Sequence, residues 1–175
     1  MKLLAFAASM SRESINKKLV SHAVTLLDGV TTERVDLRDY ELPIFSADRE
    51  EELGQPALAK AFVEKIGGSD GVIISFAEYN GSYTAAYKNL FDWCSRIRKD
   101  VYQSKPMVLL SASPGPGGGA RVLASALDSV PVFGGVVKGS FSLPSFHDNF
   151  NAAENKISDP ALAESLMQAV NRIKE

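Results

Sequence analysis

Short apolar runs alternate with amphipathic stretches along this chain. Residues 2–8 (KLLAFAA), 71–76 (GVIISF) and 106–112 (PMVLLSA) are near-continuous hydrophobic runs of strand length, the pattern of strands covered on both faces. Residues 31–37 read as a further strand and 135–138 as a short last one. Between them, apolar residues recur at helical spacing. Leu19, Ala23, Leu26 and Leu27 mark a helix over 15–28, and a second runs over 56–66, with Pro56 in its first turn and Gly67-Gly68 ending it. Tyr83, Tyr87, Leu90, Phe91 and Trp93 mark a third, and Val122, Leu123, Ala126, Leu127 and Val130 place a fourth over 120–130. A final amphipathic helix covers 160–173. Residues 39–55 lack clear periodicity and predict a long surface loop, and a looser segment with Pro144, His147 and Asp148 precedes the last helix. Five strands alternating with helices predict an α/β fold: a parallel sheet of order 2-1-3-4-5, helices on both faces, in a single domain over 1–175.

That strand order makes the loops after the first and third strands the two walls of one crevice at the carboxyl ends of the strands, where open α/β sheets bind ligands. The first wall, residues 9–14, delivers Ser9, Ser11, Arg12 and Ser14 to the start of a helix whose first amides lack partners, with Ser14 as its N-cap, an arrangement suited to an anion such as phosphate. Its bland counterpart is a capped helix with polar neighbours. The second wall, residues 77–82, suits a flat hydrogen-bonding ligand: Glu78, Asn80 and Ser82 carry polar groups, Tyr79 an aromatic face, and Gly81 permits close approach. Its bland counterpart is a solvated Asn-Gly turn. A glycine-rich third loop, 113–119, lies at the same sheet edge.

Composition narrows the ligand class. A net charge of −2, with 19 basic residues scattered along the chain, argues against nucleic acid and anionic membranes and leaves small molecules or other subunits as partners. The apolar start at residues 3–8 is shorter than the roughly 7–15 residues of a secretory signal core. No stretch approaches the ~18 apolar residues of a membrane span, so a cytoplasmic location is expected. The single cysteine, Cys94, fits a reducing compartment and reads as a small buried hydrophobe, and two distant histidines, His22 and His147, give no metal-ligand spacing. Gly115 to Ala120 formally satisfies G-x-G-x-x-A, but it follows the fourth strand, and Pro116 removes a donor from any phosphate cradle. Neither the NTP-binding loop motif nor the G-x-S-x-G hydrolase elbow is present.

The segment Glu78-Tyr79-Asn80-Gly81-Ser82, followed by Lys88-Asn89 and Asp92-Trp93, is similar to the P-E-Y-N-G-S…K-N…D-W signature of the NADPH-dependent FMN reductase family, with Ala77 at the proline position. Ser9, Ser14 and Asn16, with Ile15 between the last two, resemble its phosphate loop S-x-R-x-x-S-x-N. Ser11 stands at the arginine position and Arg12 one residue later, so hydroxyls and helix amides supply most of the phosphate's hydrogen bonds. Ser113, Gly115 and Gly118 resemble the third flavin loop, which ends in an arginine, here Arg121. The resemblance covers most of the chain and implies a flavodoxin-like three-layer sandwich holding FMN. It implies an NAD(P)H-dependent oxidoreductase passing hydride from NADPH or NADH to FMN and on to a flavin, quinone or similar electron acceptor. It also implies a homodimer or homotetramer, with residues 39–55 helping to form the interface. No acid, base or nucleophile constellation is required, because the flavin carries the chemistry. The rival reading is a flavodoxin-type electron carrier with protein redox partners. Such carriers usually have a glycine-rich phosphate loop and a strongly acidic surface, and the 9–14 loop contains no glycine.

Overall fold

Successive side chains of the first strand, β1 (Lys2–Ala8), enter opposite cores: Leu4, Phe6 and Ala8 on one face, Leu3, Ala5 and Ala7 on the other. The computed structural model describes residues 1–175 and places β1 inside a five-stranded parallel sheet. The other strands are β2 (Thr31–Val35), β3 (Gly71–Ala77), β4 (Pro106–Ala112) and β5 (Val136–Leu143), in the order 2-1-3-4-5. Helices α1 (Ile15–Thr25) and α7 (Pro160–Asn171) cover the Leu3 face. Helices α3 (Ala57–Gly67), α4 (Ala85–Ile97) and α5 (Ala120–Ser129) cover the Phe6 face. The connections after β1 and β3 therefore leave on opposite faces, which opens a crevice between these neighbouring strands. All seven residues of β3 are buried, and Ile73 faces one core while Val72, Ile74 and Phe76 face the other.

Three stretches differ from the sequence reading. The 39–55 segment is not an irregular loop: it carries helix α2 (Ala47–Leu53), N-capped by the Ser46 hydroxyl, which accepts from the Arg49 amide at 3.1 Å, and stopped at Gly54. No residue of α2 is buried, so the helix has no apolar stripe to read. The last strand runs to Leu143 instead of ending at 138. Beyond Lys138 it alternates exposed Ser140 and half-buried Ser142 with buried Gly139, Phe141 and Leu143, the pattern of an edge strand with one covered face. Helix α7 lies so close to this strand that a Cβ on Gly139 would sit 2.4 Å from the Ala169 carbonyl oxygen. The looser segment after β5 holds a short helix, α6 (Phe146–Asn149), and a hairpin of β6 (Phe150–Asn151) and β7 (Lys156–Ile157).

Two features of α4 fasten the segment before α2. The Asn89 side chain accepts from the Phe45 amide (2.8 Å) and donates to the Leu42 and Pro43 carbonyls (3.1 Å each), and the Trp93 indole donates to the Pro43 carbonyl (2.8 Å). The Asn and Trp of the K-N…D-W pattern thus act as a clamp on a strap whose Ile44 is 73% exposed. Tyr87, Trp93 and Cys94 are core residues, as their spacing suggests, and burial pushes the Cys94 thiol up to about 12.

His22 is buried on α1, edge-on to Phe150 with ring centroids 6.1 Å apart, and its ring makes no hydrogen bond. Burial disfavours the charged imidazolium and lowers the pKa below the usual 6.5. The unfolded chain therefore takes up a proton near pH 6.5 that the folded chain refuses. His22's contribution is fully present above that pH and is lost as pH falls towards the lower folded value. Urea unfolding at pH 5.5 and 7.5 should show the lower stability at pH 5.5, and His22→Gln should flatten the difference. Glu33 and Asp36 do not confuse this window, because hydrogen bonds from Lys65 to Glu33 and from Arg38 to Asp36 hold both carboxyls below the usual carboxylate range.

Candidate functional site

The first wall of the crevice forms where β1 meets α1. Ser14 occupies the N-cap position with extended backbone (φ −62°, ψ 126°), yet its hydroxyl makes no capping bond. The amides of Ile15 and Asn16 likewise find no acceptor within the chain, so the positive end of α1 is left open towards the crevice. Ser9 is buried, and its hydroxyl accepts from the Ser11 amide at 3.2 Å, which fixes the turn of the loop. The Asn16 side chain is committed elsewhere. Its Oδ1 accepts from the Ser75 hydroxyl (2.8 Å) and the Ala112 amide (2.9 Å), and its Nδ2 donates to the Ala112 carbonyl (3.2 Å). Asn16 thus braces α1 against the ends of β3 and β4, and beside its backbone amide only one Nδ2 hydrogen is left unengaged.

The second wall follows β3. Tyr79 and Ser82 exchange backbone hydrogen bonds (3.0 and 3.2 Å) around Asn80 and Gly81, whose φ values of 53° and 80° make a type I′ turn, the geometry that Asn-Gly favours. Thr84 anchors the exit: its hydroxyl accepts from the Tyr87 amide (3.3 Å) as N-cap of α4 and donates to the Ala8 carbonyl (3.1 Å) at the end of β1. Glu78 reaches sideways, and its Oε2 accepts from the Val122 amide (3.0 Å) in the first turn of α5. The two walls touch where the Ser11 and Tyr79 hydroxyls meet at 3.0 Å, with Tyr79 50% exposed.

The third loop, 113–119, is tied to the far end of β5. The Ser113 amide donates to the Leu143 carbonyl (3.4 Å), and the Ser145 amide donates to the Gly115 carbonyl (2.9 Å). The Ser111 and Ser142 hydroxyls both donate to the Gly118 carbonyl (2.8 and 2.9 Å). Gly118 has φ +61°, and a Cβ there would lie 2.2 Å from the Ser142 hydroxyl, whereas a Cβ on Gly115 would meet nothing within 4 Å.

These loops enclose a cleft of about 230 Å³ at the carboxyl ends of β1, β3 and β4. Nine of the fourteen site residues expected from the sequence line it: Ser9, Ser11, Ser14, Ile15, Asn16, Ala77, Glu78, Tyr79 and Ser113. Arg12, Asn80, Gly81, Gly115 and Gly118 do not. Arg12 is exposed without a hydrogen bond or salt bridge, and Asn80 is exposed at the turn. Gly81 lies beneath Arg121, whose Nη1 is 3.6 Å from where a Cβ on Gly81 would be. Glu13, Ala112 and Pro114 complete the lining. The sequence reading passed over Thr84 and the buried serines Ser75 and Ser111. A hydroxyl within an otherwise apolar strand is the signal that a buried partner must exist. A wider groove of about 390 Å³ runs between β5 and α7 but contains none of these loops. The strand-end cleft is the candidate because polar loops and an open helix start converge on it.

A doubly wound sheet with this cleft at its switch point defines a flavodoxin-like protein. Comparison with known proteins narrows the class. The model of the NADPH-dependent FMN reductase family matches residues 1–148, and the chain belongs to that family. It is 40% identical over 81 residues to the quinone reductase of Escherichia coli K12, an alignment covering 46% of this chain and 43% of that protein. It is 31% identical over 121 residues to the NAD(P)H-dependent FMN reductase of Pseudomonas aeruginosa, covering 69% of this chain and 64% of the relative. The chain thus spans about two fifths to two thirds of the length of these curated relatives. Among solved structures it resembles FerB, a flavoenzyme NAD(P)H:(acceptor) oxidoreductase from Paracoccus denitrificans. The TM-score is 0.78 at 24% identity, over 98% of this chain and 94% of FerB, a likeness of fold.

Proposed function

We propose that the chain is a single flavin-binding domain that holds FMN in the strand-end cleft, takes reducing equivalents from NADPH or NADH and passes them to a flavin, quinone or similar small acceptor. The observation that carries this reading is the open start of α1, where an uncapped Ser14 hydroxyl and two unpartnered amides face the cleft. Bound FMN supplies the hydride chemistry, and the chain's own groups bind and orient it. The Ser11 and Ser14 hydroxyls and the amides of Ile15 and Asn16 hold the phosphate end. Tyr79 and the backbone of the 77–82 turn stand at the ring end, and Glu78, Thr84 and Asn16 keep the walls in register. The cleft is smaller than the ~300–1,000 Å³ of enclosed ligand pockets, which suits a flavin whose ring stays open to a reductant. The two relatives named above are reductases, which weighs against the electron-carrier alternative.

A homodimer or homotetramer in the cytoplasm belongs to the same reading. Half-exposed Tyr79 at the cleft mouth and the Ile44 strap offer an apolar rim for a second subunit, and the unpaired, buried Cys94 suits a reducing compartment. No helix is long and apolar enough to cross a membrane.

An absorbance titration with FMN and then NADPH tests the proposal. The flavin band should shift on binding and bleach on reduction, and quinone should restore it. Ser14→Asp should weaken FMN by at least about tenfold, because the new carboxylate takes the open amides and repels the phosphate. A wild-type protein that leaves the FMN spectrum unchanged would sink the assignment.

A further inference from the structure

The groove of about 390 Å³ between β5 and α7 has the size of a small-molecule site and shares no lining residue with the strand-end cleft. Four consecutive residues of β5, Val137 to Ser140, line it, whereas a regular strand turns only alternate side chains to one side. The cause is a β-bulge. Met107 of β4 pairs with Val137 and the next residue, Val108, with Gly139, so Lys138 is an extra residue without a partner in the ladder. Bulges re-aim side chains, and the half-buried Lys138 lines the groove. Gly139 brings in the opposite wall: with no side chain there, the Ala169 carbonyl of α7 comes within 2.4 Å of where a Cβ would be, and Arg172, just past the end of that helix, reaches the same space.

Two cations therefore share a groove that has no carboxylate in its lining, and neither makes a salt bridge within the chain. Like charges held side by side repel, and an anion between them replaces that repulsion with attraction. The rest of the lining is rich in hydroxyl and amide groups. Ser165 donates to the Ala161 carbonyl (2.9 Å) and Gln168 to Glu164 outside the lining (2.8 Å), which leaves Ser165 Oγ and Gln168 Oε1 to accept from ligand hydroxyls. We infer that this groove binds a sugar phosphate, its phosphate between Lys138 and Arg172 and its hydroxylated body along Ser140, Ser165 and Gln168. A nucleotide base or flavin ring would find no aromatic side chain there to stack on. A bulge and a lysine on an edge strand also guard it against pairing with another chain, but that role requires neither Arg172 nor an anion. The site is independent of the flavin reading.

Backbone-amide NMR titrations of the full chain with ribose 5-phosphate, and in parallel with ribose and inorganic phosphate, test it residue by residue. Signals of residues 137–140 and 168–172 should move with a Kd for ribose 5-phosphate below about 1 mM, at least about tenfold tighter than for either fragment. Lys138→Ala and Arg172→Ala should each weaken that Kd by about tenfold or more, because each removes a charge-assisted hydrogen bond. An unchanged urea midpoint confirms that the variants fold. Shifts absent from these residues, or a Kd untouched by both substitutions, overturns the inference. Equal affinity for inorganic phosphate marks an adventitious anion only and overturns it as well.

Discussion

Asn16→Ala should lower the free energy of unfolding by about 3 kcal/mol and abolish tight flavin binding, because most of the Asn16 side chain is committed to bracing the sheet. The substitution removes three hydrogen bonds at once and leaves the Ser75 hydroxyl, the Ala112 amide and the Ala112 carbonyl without partners in a region 0–2% exposed. Each buried orphan costs roughly 1–3 kcal/mol, and water entering from the adjoining cleft offsets part of the total. A loss of that size is a large share of the 5–15 kcal/mol typical of folded domains and corresponds to a fall in Tm of roughly 6–12 °C. Asn16→Asp should not rescue, because a carboxylate keeps both acceptor roles but turns an oxygen towards the Ala112 carbonyl. Urea unfolding measures the first effect and FMN titration the second. A loss below about 1 kcal/mol would mean that the brace joining α1, β3 and β4 is not what holds the cleft together.

Gly118→Ala should cost about 2–4 kcal/mol and weaken flavin binding, while Gly115→Ala, three residues away in the same loop, should change stability by less than about 0.5 kcal/mol. At Gly118 the backbone is left-handed (φ +61°), a conformation costing an alanine about 1 kcal/mol. The new methyl would lie 2.2 Å from the Ser142 hydroxyl, 3.1 Å from the Pro144 nitrogen and 3.2 Å from the Leu143 carbonyl carbon. The hydroxyl can rotate away only by giving up its bond to the Gly118 carbonyl, and the two backbone atoms cannot move without shifting the end of β5. Gly115 has open space where its Cβ would be. Equal stability losses in the two variants would show that the third loop is not held by the end of β5.

Elements with a continuous apolar run or stripe were legible in the sequence, and elements without one were not. The apolar runs of β1, β3 and β4 and the stripes of α3, α4 and α5 read correctly, because each must match the period of the surface it covers. Helix α2 buries nothing, so its evidence lay only in Ser46 before it and Gly54 after it. The far half of β5 was hidden by Lys138, Ser140 and Ser142, polar residues of an edge strand whose other side is solvated. At the site, residue types announced the loops but not their tasks. Glu78 and Asn16 read as polar groups near a ligand and Asn89 as part of a signature, yet Glu78 reaches the start of α5, Asn89 fastens the strap and Asn16 braces the sheet. These bonds join residues 44–96 positions apart, and no local pattern encodes them.

The single hydroxyl contact between Ser11 and Tyr79 has a kinetic corollary. Water can replace it on either side, so breaking it requires only about 1 kcal/mol, roughly twice thermal energy. Thermal agitation alone therefore parts the two loops many times during any encounter, and entry should proceed without a gate, at a rate set by diffusion and by how well the newcomer is oriented.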